Sequence, residues 1–159
     1  FIGFTFNADK EGEQILTWFD AIDSCRLNRN RIRGIRLVFR NNKYNISYST
    51  EVAYKKVIPT LIGELERNCD NYFPTIIPNW DHTPRSGVNG DLLQNYTDLF
   101  EIHCMDVLSS VTKKNTNRQS VFPEIRNEWG EGNYMEPDLK YGKGYIYALR
   151  KVVDTLESL

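Results

Sequence analysis

The segment Asn127 to Asp138, N-E-W-G-E-G-N-Y-M-E-P-D, sets Glu128, Glu131, Glu136 and Asp138 beside Trp129 and Tyr134. Carboxylates this close raise one another's pKa, so one can keep its proton while its neighbour ionises. Cleavage of a glycosidic bond uses that division of labour: an acid protonates the leaving oxygen, and a base or nucleophile works at the sugar. Trp129 and Tyr134 offer flat apolar faces for sugar C–H surfaces. Gly130 and Gly132 admit unusual backbone angles and close approach of a ligand. A solvated acidic loop anchored to the core by a tryptophan would use the same residue types.

A second constellation, P-N-W-D-H-T-P-R from Pro78 to Arg85, emits an aromatic, a carboxylate, a hydroxyl and a guanidinium in quick succession. Trp80 is placed to stack on a sugar ring, Asp81 to hold a pair of hydroxyls, and Arg85 to anchor a carboxylate or phosphate. An Asp81–Arg85 pair stapling a proline-bounded turn is the alternative. His82 fits a hydrogen-bonded loop histidine better than a general base.

Both segments need strands to aim them, and the chain supplies candidates. Phe1 to Phe6 is short, aromatic and β-prone. Ile15, Trp18, Phe19 and Ile22 recur with helical spacing and predict a helix over about Glu11 to Cys25. Ile35 to Phe39 reads as a strand. Tyr54, Ile58, Leu61, Ile62 and Leu65 share one face of a helix capped by Thr50, which Pro59 should kink. Tyr72 to Pro78 reads as a buried strand. Asp98 and Glu101 resemble a capping box opening a helix that buries Phe100, Cys104, Val107, Leu108 and Val111. Ser120 to Arg126 is a further strand, and Tyr145, Leu149, Val152, Val153 and Leu156 form the stripe of a last helix. Alternation of this kind argues for parallel βα units. Both candidate loops follow strand C-terminal ends, where a (β/α) barrel carries its active face. A doubly wound sheet would place ligands there too.

The bulk composition bounds the partners. The 159 residues are 40% apolar with a formal net charge of −1, so the chain can bury a core and carries no field for nucleic acid or anionic membrane. No apolar run reaches the length of a membrane span. Arg26, Arg29, Arg31, Arg33, Arg36 and Arg40 lack interleaved aromatics until Phe39 and read as a solvated loop. Cys25, Cys69 and Cys104 suit small buried hydrophobes in a reducing compartment rather than a disulfide framework or a zinc site. His82 and His103 are too separated for a histidine metal centre. Tyr141 to Gly144 lacks the pattern of a phosphate loop.

The two loops, in this order and separation, resemble the WbsX-type family of bacterial polysaccharide-locus proteins, which is related to glycoside hydrolase family 99. The resemblance covers roughly Tyr44 to Leu156 and rests on N-I-S-Y (Asn45 to Tyr48), F-P-T-I-I-P-N-W-D-H-T-P-R (Phe73 to Arg85), N-E-W-G-E-G-N-Y-M-E-P-D and K-Y-G-K-G-Y (Lys140 to Tyr145). It implies a (β/α)8 barrel of the TIM type, of which 159 residues would supply the C-terminal half as one domain. The remainder would come from a longer chain or a second subunit.

The implied activity is that of a retaining endo-glycosidase or transglycosidase on mannose-like surface polysaccharide in the bacterial cytoplasm, without metal or other cofactor. Glu128 would assist attack by the sugar's own 2-hydroxyl, and Glu131 would serve as general acid and then base. Asn127, Trp129, Tyr134 and Glu136 would face the substrate, with Trp80, Asp81 and Arg85 opposite. A glycosyltransferase of O-antigen or capsule assembly is the second reading, and a non-catalytic glycan-binding remnant the third. Where the resemblance implies an apolar strand entering the motif, this chain has Val121 to Arg126. There Pro123 removes a ladder donor, and Glu124 and Arg126 add charge.

Overall fold

A computed structural model describes residues 1–26, 54–81, 92–93, 96–124 and 129–159, with the backbone alone at Leu92, Leu93 and Glu131. The expected strand at Ile35 to Phe39, the segment Asn45 to Tyr48 and the arginines from Arg29 to Arg40 lie outside the described residues. In chain order the main elements are β1 (Ile2–Thr5), α1 (Ala8–Ile15), β2 (Ala21–Ser24), a 3-10 turn (Ile58–Thr60), α2 (Glu64–Asn68), β3 (Tyr72–Ile76), β4 (Trp80–Asp81), β5 (Leu92–Leu93), α3 (Thr97–Val111), β6 (Phe122–Pro123) and α4 (Gly144–Glu157).

Among the described residues, β1, β2, β3 and β6 form one parallel sheet in that spatial order, and β4 pairs with β5 as a short antiparallel ribbon. The spatial order follows the chain order without reversal. Register then assigns the two faces, because partners across parallel strands point the same way and side chains alternate along a strand.

Ile22 and Tyr72 are partners, and Ile76 shares their face. Ile22 and Tyr72 pack on Ala8 and Ile15 of α1, and Ile76 packs on Phe100, Cys104 and Val107 of α3 and Ala148 and Val152 of α4. The opposite face carries Phe4, Asp23, Phe73, Thr75 and Phe122, linked by the pairs Phe4–Asp23, Asp23–Phe73 and Thr75–Phe122. A doubly wound sheet reverses its order and carries helices on both faces. Here the described helices cover one face, and the curled sheet is compatible with part of an α/β barrel whose helices lie outside.

Three expectations change. The helix read over Glu11 to Cys25 runs instead over Ala8–Ile15, and Ala21–Ser24 is a strand. The helical spacing bridged two elements: Ile22 is buried as a strand residue, whereas Trp18 is 81% exposed in the intervening turn. The single helix from Thr50 is broken. Residues 54–57 are helical, Pro59 falls in the 3-10 turn, and α2 begins afresh at Glu64. Proline lacks the donor that would continue the ladder. The capping box at Asp98 is absent, since α3 starts two residues earlier with Tyr96 as its cap and no side-chain cap bond.

Among the described residues the other expected elements are present. β3 matches Tyr72 to Pro78, α4 matches the last stripe, and the strand expected at Ser120 to Arg126 is reduced to Phe122–Pro123. Cys25 and Cys104 are buried, Cys69 is half-buried, and all three are free.

A buried carboxylate ties the helical layer to β2. Glu66 of α2 is fully buried and accepts from Ser24 Oγ at 2.5 Å, Arg26 Nε at 2.6 Å and the Gly63 N–H at 2.8 Å. Arg26 also donates twice to Asp9 of α1, at 2.7 Å each. A charge removed from water is tolerated only when paired in this way. At the base of β3, the buried Lys114 ammonium donates to the carbonyls of Cys69 and Tyr72. A polar cleft lined by Asp70, Asn71, Asn115 and Arg118 opens at that same end, away from the candidate loops.

Candidate functional site

Both candidate loops leave the C-terminal rim of neighbouring strands. β3 runs into Ile77, Pro78, Asn79, Trp80 and Asp81, and β6 runs towards Trp129 and Glu131. The strands are joined to the rim, with Glu124 N–H donating to the Ile76 carbonyl at 2.9 Å. The loops meet at Gly132, whose φ is +58°. A Cβ there would lie 2.7 Å from Asp81 Cβ and 3.2 Å from Asp81 N, so only glycine allows this approach. The loops are joined again where the Tyr134 N–H reaches Asn79 Oδ1 at 3.5 Å, a long contact from a buried asparagine.

The β6 loop is internally braced. Trp129, in a 3-10 turn, stacks on Tyr134 with ring centroids 4.1 Å apart and planes 12° from parallel. Its indole N–H donates to Glu136 at 2.9 Å, and its side chain remains 52% exposed. Asp138 Oδ1 accepts the N–H groups of Lys140 and Tyr141 at 2.6 and 2.5 Å, closing a turn whose other end is Gly142, φ +56°. The Lys140 ammonium sits over the Tyr141 ring, 4.7 Å from its centroid. Burial holds the Tyr134 phenol above its ordinary range, so it remains a neutral hydrogen-bonding hydroxyl.

The structure sorts the candidate residues. Trp129, Tyr134 and Glu136 are brought together, but Glu136 orients the indole rather than standing free for a sugar. Trp80 is only 6% exposed and packs with Cys25, Tyr54, Val57, Leu61 and Ile77, so its ring belongs to the core beneath this rim. Asp81 is half-buried against Gly132. Glu131 lies in the turn with Trp129, its backbone alone described, while Asn127, Glu128, His82 and Arg85 lie outside the described residues.

Two residues that support this rim, one buried and one partly buried, were not singled out from the sequence. His103 of α3 is fully buried, and its Nε2 accepts the Ile77 N–H at 3.2 Å. That fixes the proton on Nδ1. Burial lowers the imidazole from its usual value to about 4, so the ring is neutral. It clamps the chain where β3 becomes the Asn79–Asp81 loop.

The second is Asp23, on the helix-free face of β2. Its Oδ1 accepts from Thr75 Oγ1 at 2.8 Å. Desolvation pushes its carboxyl up to about 6; the Thr75 hydroxyl opposes the rise and the nearby Glu124 carboxylate adds to it. A helically spaced run concealed Asp23, and His103 belongs to no motif, its role being set by a backbone N–H distant in sequence.

Among the described residues no helix is long and apolar enough to cross a membrane, and no group of histidine, cysteine or acidic residues is arranged to hold a metal ion. No curated protein and no solved structure matches the chain. A family model described as Glycosyltransferase WbsX matches residues 6–149, a span that takes in the parallel sheet from β2 onward and both rim loops. On that match the chain belongs to the WbsX glycosyltransferase family, a family of carbohydrate-active enzymes.

Proposed function

We propose that the protein cleaves or transfers glycosidic bonds in a mannose-like surface polysaccharide, with the reacting sugar at the rim between β3 and β6. The observation that carries this reading is the contact of the two loops at Gly132 and Asp81, which sets the Glu131 turn and the exposed Trp129 at one strand mouth. Trp129, held by Tyr134 and Glu136, is the stacking surface for sugar C–H groups.

In this mechanism Glu131 protonates the glycosidic oxygen as the C1–O bond breaks. The sugar's 2-hydroxyl oxygen attacks C1 while Glu128 takes its proton, giving a 1,2-anhydro sugar. Water or an acceptor hydroxyl then opens that ring at C1, losing its proton to Glu131, and Glu128 returns its proton to O2. Asn127, Asp81 and Arg85 bind sugar hydroxyls.

Further parallel strands, from the same polypeptide or a second subunit, close the sheet into a (β/α)8 barrel in this reading. Supporting it are the helix-free face and the half-exposed Ile2 and Phe4 of β1.

A transfer reaction from a sugar nucleotide is the second reading, favoured by the description of the matched family. Incubation with α-linked mannotetraose, scored for new reducing ends, and with GDP-mannose plus an acceptor, scored for release of GDP, separates them. Hydrolysis or transglycosylation requires that Glu131→Gln abolish oligosaccharide turnover while mannotetraose binding persists. Consumption of the sugar nucleotide with no action on mannotetraose would establish the transferase reading instead.

A further inference from the structure

The face of the sheet that the described helices leave uncovered ends, at the rim, in a set of side chains that the loop chemistry does not use. Register places Phe4 of β1, Asp23 of β2, Phe73 and Thr75 of β3 and Phe122 of β6 on this face. Glu124 lies two residues beyond Phe122 and is held to β3 through its own N–H. Asp23, Thr75 and Glu124 therefore occupy the last rungs of three adjacent strands, directly below the points where the two candidate loops emerge.

The floor is chemically mixed. Phe73 and Phe122 meet with ring centroids 5.8 Å apart, and Phe4 meets Phe6 edge-on at 4.9 Å, both of the latter about half exposed. Phe73 is buried beneath this surface, so its apolar part is the half-exposed Phe4, the register partner of Asp23, with Phe6 against it; an exposed ring beside a hydrogen-bonded carboxyl suits the alternating C–H and O–H surface of a pyranose. Glu124, whose charge is out of place in a buried strand, lies close enough to the Asp23 carboxyl for its charge to raise it.

We propose that Asp23 is a substrate-binding residue of the glycan site, its carboxylic acid donating a hydrogen bond to a sugar oxygen from the floor while Thr75 fixes its rotamer and Glu124 lies alongside. This rests on the glycan reading of the rim and adds to it a residue outside both loops. The hydroxyl of Thr75 occupies Asp23 Oδ1, which leaves Oδ2 as the atom that carries the proton to the ligand. Desolvation and the Glu124 charge favour the protonated acid, and the acid is the form that can donate. Binding of a neutral glycan accordingly weakens as the pH rises through about 6.

The test is titration calorimetry of the full chain with α-linked mannotetraose at several pH values on either side of 6, for the wild type, Asp23→Asn, Asp23→Ala and Glu124→Gln. Asparagine keeps the acceptor for Thr75 and supplies an uncharged donor. It is expected to bind as the wild type does at low pH and to lose the pH dependence. Alanine is expected to weaken binding about tenfold or more at low pH. Glu124→Gln is expected to shift the wild-type pH dependence downward, because the charge that raises the Asp23 carboxyl is gone. A folded Asp23→Ala protein binding like the wild type, or Asp23→Asn retaining the wild-type pH profile, overturns the proposal alone. A wild type that binds no mannotetraose overturns the mannose-like reading of the site, and the role of Asp23 with it.

Discussion

Replacing Asp23 by asparagine should make the protein more stable at neutral pH, an unusual outcome for removal of a hydrogen-bonded carboxylate. The carboxyl titrates near 6 in the fold against an ordinary value of 3.8. The native state therefore binds the proton more tightly than the unfolded chain does. Stability contributed by the protonated acid is complete below about 3.8 and is lost as the pH rises through about 6. The two values differ by roughly 2 pH units, which corresponds to about 3 kcal/mol for a fully buried group. Asp23 is only partly buried, so solvent screening reduces this to about 1–2 kcal/mol.

Asparagine imitates the neutral acid and still accepts from Thr75 Oγ1. Chemical denaturation of both proteins across pH 4 to 8 should give equal stability at the acid end and an advantage of about 1–2 kcal/mol for Asp23→Asn above pH 7. Comparing the two proteins at each pH cancels the titration of every other group. An advantage for the wild type at neutral pH, or a difference that does not change with pH, would refute the argument that desolvation and Glu124 dominate over the Thr75 hydrogen bond.

Three further outcomes follow from the geometry. Gly132→Ala should cost about 2–3 kcal/mol through positive-φ strain and the clash with Asp81, whereas Gly130→Ala, with open space around its Cβ, should leave the melting temperature near that of the wild type. Trp80→Ala should destabilise by about 3–5 kcal/mol as a core truncation; Trp129→Ala should leave stability nearly intact and weaken glycan binding about 5- to 10-fold. His103→Ala leaves the Ile77 N–H without its acceptor, at a cost of about 1–3 kcal/mol at pH 7. Because the imidazole is lowered to about 4, its contribution is present above about 6.5 and fades as the pH falls through about 4, so the wild type and the variant should converge in acid.

The parts of the fold that were legible in the sequence are those with long, unambiguous periods. α3 and α4 run for 15 and 14 residues, enough for an apolar stripe to declare itself, and β3 is a continuous apolar run between turn signals. β2 is four residues long, and its buried Ile22 fell at helical spacing from Ile15, so the local pattern favoured the wrong element. Parallel partners supplied the decision: Ile22 is fixed by Tyr72, fifty residues away, which no short window contains.

The site was partly legible for the same reason. Residue types placed Trp129, Tyr134 and Glu131 in one loop, and the strand order places that loop beside Asp81. Whether a tryptophan is a platform or a core residue depends on what surrounds it, and Trp80 packs with Cys25 and Ile77, just beyond β2 and β3, and with Tyr54, Val57, Ile58 and Leu61. Asp23 and His103 act through neighbours distant in sequence, Thr75 and Ile77, and carry no motif of their own.

The carboxylate of Glu66 is the hub of a charge relay that runs from Asp9 through Arg26 and ends on Ser24. Its members come from α1, the end of β2 and α2, so two successive repeats of the sheet share one electrostatic clasp. Loss of Arg26 alone would leave the fully buried Glu66 carboxylate without its counter-charge. Grafting the first βα unit onto another scaffold would therefore have to carry Glu66 along with Arg26.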